Sequence, residues 1–364
     1  MATYNVGPSG AYATLQTCLA SGVLVSGDTI QLESGYDVDE AAGVGIASPT
    51  NITIIGDVSD PSNAVCRWSN PTGSTVLLRA LYVHPSDWTV KGITFKYTGA
   101  ALALSSAVTV NTGSSGFLME DCVLESTSSG IYDFGGSSTI RRVKADGSGG
   151  TLNSSRGIFS AGGDGNIIES CLSINWGLHH IGSDRDTVIK NCTVYNDRSD
   201  ANNGSNVTGI FVDRGDSAFT MVANCVVFMN CTKTSARGIS VSNGYLVSIL
   251  DCITYGTPGG DATDLSAGGS APTEVNVTKS SGVGASAVLV DAPNDDFYPA
   301  DPGLALHTGN ALYDPAGGDL NQQPFNDPPS MGCLEAVASG GGGGGGAVMK
   351  SRAGLLPSPF TLNP

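Results

Sequence analysis

The chain has 364 residues, 50 of them glycine, with 14% charged residues and a formal net charge of -16. That acidic balance argues against a nucleic-acid partner, whose phosphates reward a basic surface, and against an anionic membrane surface. No apolar run approaches the ~18 residues of a bilayer span, and the opening MATYNVGPSG lacks the basic start and apolar stretch of a secretory leader, so a protein made and kept in a cytosol is expected.

In chain order, residues 1–50 read as an N-terminal cap and entry strand. AYATLQTCLASGVLVSGDTIQLESGYDVDE opens with a short amphipathic helix, Ala11 to about Ser21, followed by a Gly-Asp-Thr-Ile strand and a Gly-x-Tyr-like turn. Residues 51–256 read as repeating rungs. One half of the unit recurs as SGIYDFGGS, RGIFSAGGD, WGLHHIGSD, TGIFVDRGD and RGISVSNGY. The other recurs as FLMEDCVLE, TIRRVKAD, NIIESCLSIN, TVIKNCTVYN, MVANCVVFMN and VSILDCITYG, with WTVKGITFK as an earlier relative. With the first half anchored on Ile131, Ile158, Leu178, Ile210 and Ile239, and the second on Val143, Cys171, Cys192, Cys225 and Cys252, the spacing holds at 12 to 15 residues. The units are short, rich in Val, Ile and Thr, and punctuated by Gly, Ser and Asn, so they read as strands. Residues 257–338 read as a closing segment, 339–346 as a glycine tether and 347–364 as a docking peptide.

These repeats resemble the right-handed parallel β-helix of the pectate-lyase-like superfamily. The N-terminal stretch resembles the entry of that family, in which a helix covers the open first rung. Met331-Gly-Cys-Leu-Glu335 partly resembles an Ile-Gly-Ala-Phe-Glu-like closing strand. The resemblance spans residues 3 to 336. It implies an all-β, single-stranded, right-handed parallel β-helix with a short N-terminal capping helix and an extended C-terminal tail. It implies little about function, because the architecture hosts many activities.

In such a coil, equivalent residues lie about 4.8 Å apart on adjacent rungs and point the same way. The cysteine column, which Val143, Cys122 and Ile93 share, then faces inward as small hydrophobes. Parallel stacked thiols are poorly aimed for disulfides. The nine cysteines hold no CxxC pair and no zinc spacing, so they read as reduced. One residue past the aliphatic anchor come Tyr132, Phe159, His179 and Phe211. Strand alternation turns this column outward, as an interaction strip for a neighbouring subunit or a sugar, unless the loop Asp197 to Val207 folds over it. Six residues past the anchor, Asp164, Asp184 and Asp216 recur. Stacked carboxylates need a basic group or cation between them: Arg185, Arg214 or a calcium ion, if these are not simply solvated turns.

Catalytic sets are incomplete. The Trp-Ile-Asp-His and Arg-x-Pro-x-x-Arg patterns of pectate lyases and the Asn-Thr-Asp, Asp-Asp, Gly-His-Gly and Arg-Ile-Lys set of polygalacturonases are missing. IYDFGG faintly resembles a pectin methylesterase motif whose partners are absent. The best local cluster is His179, His180, Asp184, Arg185 and Asp186, but adjacent histidines on one strand point to opposite faces. After Gly340 to Gly346 the tail carries Lys350 and Arg352 among Met349, Leu355, Leu356 and Phe360, with no acid. Apolar anchors on a flexible tether suit a docking peptide. A β-helix with low lysine and such a tail resembles the capsid-decoration, fibre and tailspike proteins of tailed bacteriophages. That resemblance implies a homotrimeric structural protein of a virion, assembled in the host cytoplasm and joined to another virion protein by its tail. The alternatives are a polysaccharide lyase or hydrolase, a tailspike depolymerase, or a carbohydrate-binding module for a surface glycan, reaching the exterior without a signal peptide.

Overall fold

The structure is a computed structural model. It describes residues 1–40, 44–46, 49–69, 79–83, 86–99, 105–111, 113–132, 135–198, 203–204, 206–213, 219–229, 236–241, 247–255, 263–265, 272–280, 288–294, 296–300, 305, 308–315, 317–326 and 329–335.

A typical rung is three short strands, and in Leu118–Ser126 and Thr139–Asp146 the first two run on as one. Asn166–Glu169 and Leu172–Ile174, for example, are followed by His179–Ser183. The first two strands of every rung belong to a 19-stranded sheet and the third to a 9-stranded sheet, and their ladders are parallel throughout. The coil is thus a parallel β-helix, and rungs continue to Ser280, beyond the residue 256 boundary expected from the repeats.

Between the first and second strands the chain turns on one left-handed residue. These residues stack: Gly92, Asp121, Arg142, Ser170, Asn191, Asn224, Asp251 and Asn276, with φ between 49 and 63°. Gly, Asn and Asp tolerate that region better than other residues, which explains most of the choices. The next residue in each rung points inward and makes the expected column of Cys122, Val143, Cys171, Cys192, Cys225 and Cys252, all buried. The described cysteines are free thiols.

Asn191 is completely buried, and neither atom of its carboxamide has a hydrogen-bond partner. An unsatisfied buried amide costs about 1–3 kcal/mol, and glycine suits φ 49° better than asparagine. Asn191→Gly is therefore expected to hold or raise the thermal midpoint. A clear fall on calorimetry would mean that ordered water satisfies the amide.

The N-terminal helix is shorter than expected, Leu15–Ala20, and it places Leu15, Cys18 and Leu19 in the prism core. The buried Glu40 carboxylate accepts from the backbone N–H of Leu15 at 2.9 Å and of Gln16 at 3.3 Å, and from the Tyr36 hydroxyl at 2.5 Å. It satisfies helix donors that have no intrahelical partner.

The C-terminal segment runs along the side of the prism. The second strands carry apolar residues on their outer face too: Leu172, Ile174, Tyr195, Val226, Phe228 and Ile253. Such strands need cover. Val288, Leu289, Phe297, Met331, Cys333 and Leu334 supply it and form a second core. The strap then follows the left-handed column toward the N-terminal end. Asn224 exchanges two bonds with the Asn310 backbone, Ser170 donates to the Gly318 carbonyl, Arg142 donates to the Gly317 carbonyl, and Gln322 reaches Asp121. Met331–Glu335 forms no strand; the Glu335 carboxylate is buried and accepts from the Ser330 hydroxyl at 2.6 Å and the Ser330 N–H at 2.8 Å.

Candidate functional site

The rings of Tyr132, Phe159, His179 and Phe211 form one continuous stack on the outer face of the 9-stranded sheet. Successive centroids are 5.7, 5.8 and 4.0 Å apart, and the His179 and Phe211 planes differ by only 8°. The register beneath this stack differs from the sequence alignment. Ile181, rather than Leu178, pairs with Ile158 and Ile210, so Gly182 stands opposite Phe159 and Phe211. Leu178 is only partly buried, whereas Ile181 is fully buried in the core. His179 pairs with Arg156 and Thr208 at the strand's start, and its imidazole lies between the Phe159 and Phe211 rings. Any Cβ at residue 182 would lie 2.6 Å from the Phe159 ring. Glycine is what lets the Phe159 ring lean over this rung, while the ring of His179, three residues away, completes the column.

The strip is less open than alternation implies. Phe159 is 2% exposed and His179 7%, while Tyr132 and Phe211 are half-buried. The described part of the loop after Asn196 packs on the neighbouring turn, where Arg198 donates to the carbonyls of Gly150 and Leu152. A side chain the sequence reading did not single out, Arg156, lies across the strip. Its guanidinium carbon is 5.1 Å from the Tyr132 ring centre and 4.5 Å from that of Phe159, a cation–π geometry. Its Nε is buried without a partner.

The histidines do not act together. His180 is fully buried in the corner column that holds Gly157 and Gly209 on adjacent rungs. Its Nδ1 is 3.4 Å from the Ser173 carbonyl, and its Nε2 has no partner. Burial pushes both imidazoles down to about 3, with Arg156 adding to the effect at His179. Both are neutral at ordinary pH.

Asp164 and Asp184 do not stack. Five residues lie between Ser160 and Asn166 where three lie between the paired Ser183 and Thr187. The longer turn brings Asp164 to Asp186 instead, where its carboxylate accepts the backbone N–H at 3.2 Å. Arg185 is exposed and donates to the Ala161 carbonyl. Asp216 and Arg214 lie outside the described residues, as do the tail residues Met349, Lys350, Arg352, Leu355, Leu356 and Phe360. Among the described residues, no group of three or more His, Cys, Asp or Glu side chains converges on a metal position, and no helix is long and apolar enough to cross a membrane.

A second polar constellation lies on the first strands. Lys91, Glu120, Arg141, Glu169 and Lys190 are consecutive in register and alternate in sign. Glu120 bridges Lys91, Arg141 and Arg142; Glu169 bridges Lys190 at 3.2 Å. Beside it the strap forms a cavity of about 240 Å³ lined by Asp314, Pro315, Gly317, Gly318, Gln322, Pro324 and Phe325.

Residues 79–254 match the family model described as a right handed beta helix region. Comparison with curated proteins finds no match. Among solved structures, pectate lyase Pel9A is similar with a TM-score of 0.55 at 16% identity, covering 92% of this chain and 96% of that one. A rhamnogalacturonan lyase is similar with a TM-score of 0.51 at 13% identity, over 85% and 96%. These likenesses show the fold: the chain is a right-handed parallel β-helix of the kind those lyases share.

Proposed function

We propose that the protein is a rigid, non-catalytic scaffold of a bacteriophage virion, of capsid-decoration or fibre type. In this reading it self-associates, as a homotrimer, presents an outer face, and joins another virion protein through residues 347–364. The observation that carries the reading is the fate of the most chemical side chains. His180 is sealed in the prism and His179 is sandwiched between rings, so neither imidazole reaches a substrate. Glu120 is consumed by three cations. The glycine tether and acid-free apolar tail supply the anchor.

A second reading is favoured by the fold shared with pectate lyase and rhamnogalacturonan lyase and by the half-buried Tyr132 and Phe211 rings beside Arg156. Here the chain acts on, or binds, a polysaccharide. One experiment separates the two: the full chain is incubated with acidic and neutral glycans, with reducing ends and unsaturated products followed. In parallel, a chain lacking residues 340–364 is tested for co-sedimentation with the assembled particle. No turnover, with a folded truncation that stays behind in solution, is expected. Product release, or normal incorporation of the truncated chain, overturns the scaffold reading.

A further inference from the structure

We propose that, in a scaffold anchored by its tail, the tail has a resting seat on its own body. Before assembly, residues 347–364 lie on the outer face of the first strands, along the C-terminal half of the prism.

The strap covers the outer face of the second strands. On the first strands, Ile167, Val188 and Met221 stand in one outward column by register, and Leu250 and Val275 in the next. None of the five belongs to either apolar core. The first four are half-buried, while Val275 is 46% exposed and Phe219, two residues before Met221, 49%. A contiguous apolar patch of this kind marks an interaction site. It runs roughly 19 Å along the prism, at about 4.8 Å per rung.

Reach, charge and composition select the occupant. Near its end the strap is pinned beside this face: the Gly332 N–H donates to the Asn224 carbonyl at 2.8 Å, and the Cys333 N–H to the Thr193 hydroxyl at 3.0 Å. Asn224 is three residues past Met221, roughly 10 Å along the chain. Between Glu335 and residue 347 stands AVASGGGGGGG, and a glycine-rich coil of that length spans roughly 18 Å. The tail therefore reaches the patch, and it does so at an effective concentration on the order of millimolar. Val348 to Leu356, when extended, covers roughly 30 Å, enough for the whole patch. The tail offers Met349, Leu355, Leu356 and Phe360 to the aliphatic columns, and it brings Lys350, Arg352 and no acid to a body of -16. Asp164 and Asp186 stand on the border of the face, just before its strands begin. Pro357 and Pro359 favour extended backbone, which lowers the cost of ordering the peptide. The ring column is a poorer seat, because Arg156 already lies over it and repels Lys350 and Arg352. A virion partner must then compete with the body for the tail, which weakens its apparent affinity by the fraction of tails that are seated.

Limited trypsin digestion of the full chain, followed by mass spectrometry, provides the test, because Lys350 and Arg352 lie within the seated segment. Cleavage at both is expected to be about 10-fold slower in the wild type than in a Leu355→Ser, Leu356→Ser chain, whose changes lie outside the prism. Met221→Ser, and independently Val188→Ser, should release the tail to a similar rate, with circular dichroism melts showing each variant folded. Phe211→Ser should leave the rate unchanged, and protection should survive about 100-fold dilution of the chain. Equal rates in the wild type and the tail variant overturn the proposal. So does protection that fades on dilution, which puts the tail on another molecule, and so does release by Phe211→Ser alone. A freely cut tail whose removal still keeps the chain out of the particle overturns the seat and leaves the scaffold reading standing. A protected tail whose removal leaves assembly normal upholds the seat and overturns the scaffold reading.

Discussion

As pH falls from about 6.5 toward about 3, the protein is expected to lose stability steeply, ahead of most carboxylate titration. Both adjacent histidines are buried and neutral in the fold, and their pKa values are pushed down to about 3, mainly by burial. In the unfolded chain each binds a proton near pH 6.5. Between the two values the unfolded state holds more protons, so protons favour unfolding. The histidine contribution is complete above about pH 6.5 and is lost on the way down to about 3. Each imidazole accounts for on the order of 4 kcal/mol over the whole window, against a typical total stability of about 5–15 kcal/mol. Arg156 near His179 and Arg198 near His180 are among the groups that lower these values and so widen the window. Urea midpoints measured across this range check it. His179→Phe keeps a ring between Phe159 and Phe211 and removes one titrating group, so about half of the pH slope should vanish. A wild type with a flat profile down to about pH 4 would contradict two sealed neutral imidazoles.

The rungs were legible because their chemistry repeats. Glycine, an aliphatic anchor, a bend and a small inward residue recur at near-constant spacing, and the cysteine column stacks as that spacing implies. The ring column was legible too, though for an incomplete reason. WGLHHIGSD offers two aliphatic anchors, Leu178 and Ile181, and the first one after glycine is the natural choice from sequence alone. The sign of the other register is Gly182, whose missing side chain leaves room for the Phe159 ring.

The left-handed column has its own signal in the sequence. The residue before each inward cysteine is Asp121, Ser170, Asn191, Asn224 or Asp251, and most are types that tolerate positive φ. The side strap was foreshadowed by the outward residues of the second strands, Leu172 and Ile174, Tyr195, and Val226 and Phe228, which are mostly apolar and so need cover. Asp164 and Asp184 fall out of line because turn length varies between rungs. Nothing local marks Arg156 as lying over two rings, since Arg237 opens the same RGI motif three rungs away. Its position is set by ring columns that exist only once the rungs stack.

Replacing Glu120 should be the most damaging single change among the ion pairs. Its side chain is 5% exposed and sits where three rungs and the strap meet. It contacts Lys91 Nζ, Arg141 Nη2 at 2.5 Å and Arg142 Nη2 at 3.1 Å. Arg142 in turn holds Asp121 at 2.7 Å and the Gly317 carbonyl of the strap at 3.1 Å, while occupying a left-handed bend at φ 51°. Burial pushes the Glu120 carboxyl up, but bonds from Lys91 and Arg141 outweigh it and hold the group below its usual value of 4.5. Its contribution is therefore present above that value and is lost as pH falls through the lowered one. Truncating one member of a buried ion cluster strands the others, which costs about 3–5 kcal/mol. Glu120→Ala is expected to fall in that range by urea unfolding at neutral pH, and to open residues 308–326 to protease. Glu125 provides the contrast: it pairs with Lys96 at 2.6 Å with both side chains about one-third exposed, so Glu125→Gln should cost under about 1 kcal/mol. A Glu120→Gln, Arg142→Gln double-mutant cycle should report about 1–3 kcal/mol of coupling. If Glu120→Ala costs no more than Glu125→Gln, the cluster is a solvated surface network, and the strap is held by its apolar core and buried carboxylates alone.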